Sequence, residues 1–89
     1  MNVELKGTVH AIFSKEQVTD NFTKQELVVT VDEDTQYPQQ VIAQCVNAKC
    51  DQLKGIAHGM KVKVSCNLRG KENNGKYYNR LEAWKIEKI

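Results

Sequence analysis

Apolar and polar residues alternate with a period of two through most of this chain, and that alternation restricts its fold more than any other feature. Near the N-terminus, one series of alternate residues is Val3, Leu5, Gly7, Val9, Ala11 and Phe13, and the residues between them are Glu4, Lys6, Thr8, His10 and Ile12. A period of two is typical of a β-strand with one buried face. We therefore expect Phe13 to lie in the core with Val9 and Ala11. The pattern predicts strands over residues 3–13, 22–31, 37–46, 60–69 and 76–86.

The segments between these strands carry helix and turn signals. One short helix is predicted over residues 47–54, with Asn47 as its capping residue and Gly55 as its stop. Asn74-Gly75 predicts a two-residue hairpin turn, because both positions of that turn require positive φ. Residues 14–21 are polar and break the alternation, so we expect a loop there.

The last predicted strand is apolar on both sides. Tyr77 and Ala83 share one parity, whereas Tyr78 and Ile86 share the other. Either both faces are partly covered, or a bulge shifts the register near Ala83. Because Tyr77 and Tyr78 are adjacent in a strand, we expect one to face inward and the other outward.

The order of these elements predicts an all-β fold. Three strands, a short helix and a two-stranded hairpin are the order of the OB-fold, a five-stranded Greek-key barrel with its helix between strands three and four. An SH3-like barrel is the alternative, but its helical turn normally precedes the last strand. A length of 89 residues predicts a single domain over residues 1–89.

Charge and motif content favour a binding role over catalysis. Residues 1–44 carry three lysines and seven acids, or −4, whereas residues 45–89 carry ten Lys or Arg and four acids, or +6. A basic half suits a polyanionic partner, although lysines also simply solvate exposed strand faces. No nucleophile motif, phosphate-binding loop or paired-carboxylate constellation is present, so we expect no enzyme and no cofactor. With no long apolar run and no signal peptide, we expect a cytoplasmic protein without membrane contact.

The three cysteines allow two interpretations. A zinc site from Cys45, Cys50, Cys66 and His58 is possible. Reduced thiols that pack in the core are favoured, because the spacing matches no common zinc motif and the two histidines are isolated in the sequence.

Cations and aromatic residues are interleaved where an OB barrel binds its ligands. Such barrels bind oligonucleotides or oligosaccharides across strands two and three, between the loops that join strands one and two and strands four and five. Single-strand binding requires cations along the phosphates and aromatic rings on which bases stack. For Trp84 the alternative is a place in the core or in an interface. The candidate phosphate-binding residues are Lys15, Lys24, Arg69, Lys71, Lys76 and Arg80, and the candidate stacking residues are Phe22, Tyr37, Tyr78 and Trp84.

Several segments resemble a known family. They are Tyr37-Pro38-Gln39-Gln40, Asp51-Gln52-Leu53, Asn67-Leu68-Arg69-Gly70 and, most specifically, the stretch from Gly75 to Ile86 with its Lys-Tyr-Tyr-Asn and Ala-Trp pairs. Together they resemble a family of small bacterial OB-fold domains of unknown function, found mostly in Bacteroidetes and similar to single-stranded-DNA-binding proteins. The resemblance implies the OB-fold and, by analogy, nucleic-acid binding, but it carries over no established binding or catalytic residue.

Two hypotheses follow. The first is a non-catalytic protein that binds single-stranded nucleic acid, DNA rather than RNA, with low sequence preference, as a homo-oligomer (dimer or tetramer). The second is a protein–protein assembly module that pairs the exposed apolar residues of its third and fifth strands with another chain.

Overall fold

The computed structural model describes residues 1–89 and contains six strands and one short 3₁₀ helix. The elements are β1 (Asn2–Ile12), β2 (Glu16–Thr19), β3 (Phe22–Val31), β4 (Gln39–Val46), the 3₁₀ helix (Asn47–Leu53), β5 (Lys61–Asn73) and β6 (Lys76–Lys88). No helix is long and apolar enough to cross a membrane.

Five of these strands close into a barrel. Their order is β1-β5-β6-β4-β3, and an additional pairing of β1 with β3 closes the circle. All the pairings are antiparallel except that of β4 with β6, which is parallel and limited to Gln44 and Glu82. The 3₁₀ helix follows β4, the third strand of the barrel, and precedes β5, the fourth. The predicted OB-fold is therefore confirmed.

The remaining strand, β2, corrects the prediction of a loop over residues 14–21. Glu16 pairs with Lys24 and Gln17 pairs with Thr23, so β2 folds back on the start of β3. All four residues of β2 are exposed. A strand with no buried face carries no apolar alternation, which is why the sequence pattern missed it.

The core contains twelve buried apolar residues contributed by five strands and the 3₁₀ helix. Val62, Val64 and Cys66 of β5 are fully buried at alternate positions, as a period of two requires, whereas Leu68, the next residue of that parity, is 37% exposed. Ala43 and Cys45 of β4 are buried as well, whereas Ile42 of the same strand is 49% exposed.

A bulge in β1 overturns the prediction that Phe13 lies in the core. Val9 pairs with Val29 and Ala11 pairs with Val28, so His10 is an extra residue in β1. The bulge reverses the parity beyond it. Ile12 consequently packs against the core, and Phe13 is 49% exposed.

The residues around the 3₁₀ helix fit the sequence only in part. Gly55 has φ +82° and ends the helical segment, as predicted. Asn47 does not cap it: no side-chain cap is present, and the Asn47 Oδ1 accepts a hydrogen bond from the Thr23 backbone N–H at 3.0 Å. Asn47 instead ties the end of β4 to the start of β3, with its own backbone at φ +50°.

Two local features of the β5–β6 hairpin confirm the sequence predictions. Asn74 and Gly75 have φ of +54° and +79°, as the two-residue turn requires. Ser65 pairs with Lys85 and Cys66 pairs with Ala83, so Trp84 is an extra residue in β6. Of the two alternatives for this strand, the bulge near Ala83 is therefore the one present.

Candidate nucleic-acid interface

Five of the ten candidate residues lie on one face of the β5–β6 hairpin. Residues directly opposite each other on antiparallel strands share a face. Arg69 pairs with Arg80, Lys71 with Tyr78, and Asn73 with Lys76, and the three pairs are two residues apart along each strand. We call this surface the basic face; its candidate residues are Arg69, Lys71, Lys76, Tyr78 and Arg80.

The basic face carries an uncompensated positive charge. Residues 69–80 contain four Lys or Arg and one acid, Glu72, for a net charge of +3. Glu72 pairs with Tyr77 and therefore lies on the opposite face of the hairpin. The nearest carboxylate on the basic side is that of Glu82, whose Oε2 is 3.8 Å from the Arg69 Nε. Lys71, Lys76 and Arg80 form no ion pair, so their charges are open to an anionic ligand.

A cleft of about 370 Å³, the hairpin cleft, opens beside the basic face. Arg69, Lys71, Tyr78 and Arg80 line it together with Gly70, Asn73 and Asn79. Gly70 and Asn79 are paired, and a Cβ on Gly70 would lie 3.3 Å from the Asn79 Oδ1. Because Gly70 has no side chain, the amide of Asn79 has room to lie over β5 at this position.

A second cleft, the apolar cleft, lies between β4 and β6 and has a volume of about 320 Å³. It forms because the two strands pair only at Gln44 and Glu82 and diverge before that point. Asn79 and Arg80 line both clefts, which are therefore neighbours. The other lining residues are Gln40, Val41, Ile42, Ala43, Gln44, Leu68 and Leu81.

Sequence reasoning missed Asn79 and the β4 side of the apolar cleft. The apolar character of both faces of residues 41–46 was a signal that Ile42 faces something other than the core. Asn79 belongs to the stretch that carries the family resemblance, but its place beside two clefts depends on the divergence of β4 from β6, which the sequence does not display.

The two adjacent tyrosines correct a second expectation. Tyr77 is 76% exposed and Tyr78 is 55% exposed, so neither faces the core. The hairpin extends past the barrel at this point, and every residue from Arg69 to Arg80 is exposed. The two rings still lie on opposite faces of the hairpin, because Tyr78 pairs with Lys71 and Tyr77 pairs with Glu72.

Trp84 lies outside both clefts. Its indole Nε1 donates a hydrogen bond to the Asn2 Oδ1 at 3.4 Å, and the residue is 39% exposed. The ring therefore reaches across β5 toward β1 on the outer surface of the barrel, and it does not fill the core.

The structure does not bring the other four candidates to the basic face. Phe22 and Lys24 lie at the start of β3 and are half-buried, and Lys15 precedes β2. The Lys24 Nζ is 3.9 Å from the Glu16 Oε2, so the carboxylate partly compensates the positive charge of Lys24. Tyr37 is 71% exposed in the turn between β3 and β4. None of these four residues lines either cleft.

The cysteines are all buried and reduced. Burial raises the pKa of Cys45 to about 12, with the neighbouring Cys50 and Cys66 thiols adding to the shift, and burial raises the pKa of Cys66 to about 11. The Cys50 Sγ donates a hydrogen bond to the Cys45 carbonyl at 3.3 Å. No group of three or more His, Cys, Asp or Glu side chains is arranged to hold a metal ion. The three thiols pack in the core, whereas His58 is exposed on the surface.

Comparison with protein families gives a match over residues 4–87 to the model described as domain of unknown function DUF3127. The chain belongs to the DUF3127 family. Comparison of this DUF3127 chain with curated proteins finds no match.

Solved structures with the same fold include two that are described as single-stranded DNA-binding proteins. The mitochondrial single-stranded DNA-binding protein Rim1 of S. cerevisiae has a TM-score of 0.81 at 11% identity, covering 100% of this chain and 95% of that one. The dimeric N-terminal domain of PriB from Thermoanaerobacter tencongensis has a TM-score of 0.73 at 17% identity, covering 99% and 94%. A small single-stranded DNA-binding protein of Streptomyces coelicolor has a TM-score of 0.61 at 15% identity, covering 100% and 94%. At these identities the similarity of the DUF3127 chain to them is one of fold.

Proposed function

We propose that this chain is a non-catalytic protein that binds single-stranded nucleic acid with low sequence preference, DNA rather than RNA. The observation that carries the proposal is the basic face, where cross-strand pairing aligns four cations and one exposed tyrosine on one side of a hairpin. A single strand presents the matching groups, namely a line of phosphates and a series of flat bases.

Two kinds of contact bind the single strand in this proposal. Arg69, Lys71, Lys76 and Arg80 neutralise phosphates, and Tyr78, between them on the same face, offers its ring to a base. Phosphates are common to all sequences and every base has a stacking face, so these contacts discriminate little between sequences.

Two further points support the choice of DNA and the absence of catalysis. The solved structures with this fold include two proteins described as binding single-stranded DNA. The hairpin cleft is lined by Arg, Lys, Tyr, Asn and Gly and has neither a nucleophile with an adjacent base nor a pair of carboxylates.

Assembly is the second part of the proposal. We propose that the chain forms a homo-oligomer, a dimer or a tetramer, because Ile42 and Leu68 expose 49% and 37% of their surfaces at the apolar cleft. The same cleft is also the observation that favours the alternative function. A protein–protein assembly module would cover the apolar cleft with another chain and would leave the basic face unused.

A binding titration at several salt concentrations tests the proposal. The change in anisotropy of a labelled oligothymidylate gives the affinity, which is compared with that for oligouridylate. The logarithm of affinity should fall against the logarithm of salt with a slope of about −0.7 for each phosphate contacted, or roughly −3 for four contacts. Replacing Arg69, Lys71 and Lys76 together with alanine should flatten the slope by about 2.

A matched variant controls for net charge. Replacing Lys6, Lys54 and Lys61 with alanine removes the same charge from surfaces outside both clefts, and the slope should stay near the wild-type value. A folded protein without affinity for single strands at low salt would reject nucleic-acid binding and favour the assembly module. Equal slopes for the two triple variants would retain the function but reject the basic face as its site.

A further inference from the structure

The two histidines, distant in sequence, meet on the surface of the barrel. His10 belongs to β1 and His58 to the segment before β5. The centroids of their rings are 6.4 Å apart, with the ring planes inclined by 51°. Both residues are exposed, and neither ring takes part in a side-chain hydrogen bond or an ion pair. Their nitrogens are therefore available to a ligand.

The backbone on both sides of this pair is held in place. The Val9 N–H donates to the Met60 carbonyl at 2.8 Å, and the Gly59 N–H donates to the Val9 carbonyl at 2.9 Å. These bonds join the residue before His10 to the residue after His58. His10 is also the extra residue of the β1 bulge, and bulges redirect side chains away from the ladder. The backbone hydrogen bonds and the bulge thus hold the two histidine positions close together.

The distance between the rings suits a bridging metal ion. With metal–nitrogen bonds of about 2.0–2.1 Å, each imidazole centroid lies roughly 3.2 Å from the ion, so the pair spans at most about 6.4 Å and roughly 5.2 Å at a tetrahedral angle. Rotation of two exposed side chains supplies the difference of about 1 Å. The rings are close enough to bind one ion without movement of the backbone.

We propose that His10 and His58 form a two-histidine site for a divalent transition-metal ion that prefers imidazole, with Zn²⁺ as the reference ion. Neutral imidazole suits Zn²⁺, Cu²⁺ and Ni²⁺, whereas Mg²⁺ and Ca²⁺ prefer oxygen ligands. No third His, Cys, Asp or Glu of this chain completes the site, so water or a second copy of the chain supplies the remaining positions. The site is separate from the basic face and does not depend on nucleic-acid binding.

Calorimetric titration of the full chain with Zn²⁺ tests the site. We expect one ion per chain, or one ion per two chains if a second copy of the chain completes the coordination. With only one histidine left, the ion loses the second, intramolecular contact that strengthens chelation. His10→Ala and His58→Ala should therefore each weaken the binding of Zn²⁺ about a hundredfold. Mg²⁺ at the same concentration should produce no comparable heat.

Two measurements keep the result interpretable. The circular dichroism of both variants should match that of the wild type, because both side chains are exposed. In NMR spectra, substoichiometric Ni²⁺ should broaden the signals of both imidazoles before any other. Binding of Zn²⁺ that survives both substitutions, or no binding up to millimolar Zn²⁺, would overturn the proposal.

Discussion

The side chain of Gln52 in the 3₁₀ helix donates a hydrogen bond from its Nε2 to the backbone carbonyl of Trp84, at 3.0 Å. Its Oε1 accepts a hydrogen bond from the Ile86 backbone N–H at 2.9 Å. Trp84 is the extra residue of the β6 bulge, where the ladder with β5 is interrupted. One amide thus binds two backbone groups of β6, at the bulge and two residues beyond it, and it fastens the helix to the barrel.

Replacing Gln52 with alanine should therefore destabilise the fold. Two backbone groups lose their partners, and we expect the free energy of unfolding to fall by about 1–3 kcal/mol in urea denaturation. Gln40→Ala is the matched control, because Gln40 is exposed and its side chain makes no hydrogen bond, so its stability should stay near that of the wild type. Equal losses in the two variants would contradict the role of Gln52.

Gly7 marks a close approach of β1 and β3. A Cβ at this position would lie 1.8 Å from the Thr30 carbonyl oxygen, a backbone atom that cannot rotate away. Gly7→Ala should cost about 3 kcal/mol or more, because the strands must separate. Gly70→Ala should cost less than about 1 kcal/mol, since its Cβ meets only the end of the Asn79 side chain. Thermal or urea unfolding of both variants compares the two costs.

The adjacent tyrosines offer a matched test of stacking. Tyr78 lies on the basic face and Tyr77 on the opposite one. Tyr78→Ala should weaken binding to a single-stranded oligonucleotide by about 1–3 kcal/mol with the salt slope unchanged, because stacking releases few counterions. Tyr77→Ala should bind like the wild type. A larger loss from Tyr77→Ala would place the ligand on the other face of the hairpin.

The buried cysteines predict a loss of stability at alkaline pH. The ordinary thiol pKa is 9.0, and the folded pKa values of Cys45 and Cys66 are about 12 and about 11. Folding holds these thiols protonated, so their contribution is complete below the unfolded pKa and is lost as the pH rises toward the folded values. The urea concentration at the midpoint of unfolding should therefore decrease as the pH is raised from about 8 to about 10.

A double variant isolates this contribution. Cys45→Ala together with Cys66→Ala should show a smaller fall in the urea midpoint over the same range, since the two thiols with raised pKa values are absent. Parallel curves for the two proteins would mean that the thiols do not cause the loss.

Light scattering tests the proposed assembly. At micromolar concentration the chain should have the mass of a dimer or a larger oligomer. A charge at the apolar cleft should dissociate it, so Ile42→Asp should shift the mass toward that of a monomer. Val18→Asp places the same charge at another exposed apolar residue, on β2, and should leave the mass unchanged. A monomeric wild-type chain would contradict both the homo-oligomer and the assembly module.

Local chemistry was sufficient to predict five of the six strands and the short helix of this fold. Alternation in residues 60–69 identified a strand and its buried face, and Val62, Val64 and Cys66 are fully buried as that parity requires. Asn74-Gly75 and Gly55 predicted their positive φ values because few residues adopt them without strain. The bulge near Ala83 was signalled by a change of parity within one strand. Such features are encoded within a few neighbouring residues, and a sequence displays them directly.

Only the tertiary structure decided which residues meet. The bulge at His10 turned Phe13 outward, and nothing within β1 marked it, because its cause is the register with β3. Pairing across the hairpin gathered Arg69, Lys71 and Arg80 on one face, but the barrel left Lys24 beside Glu16. Register, strand divergence and closure depend on contacts between residues far apart in the chain. A one-residue shift moves every later side chain to the other face, so a sequence predicts the strands better than the surface they form.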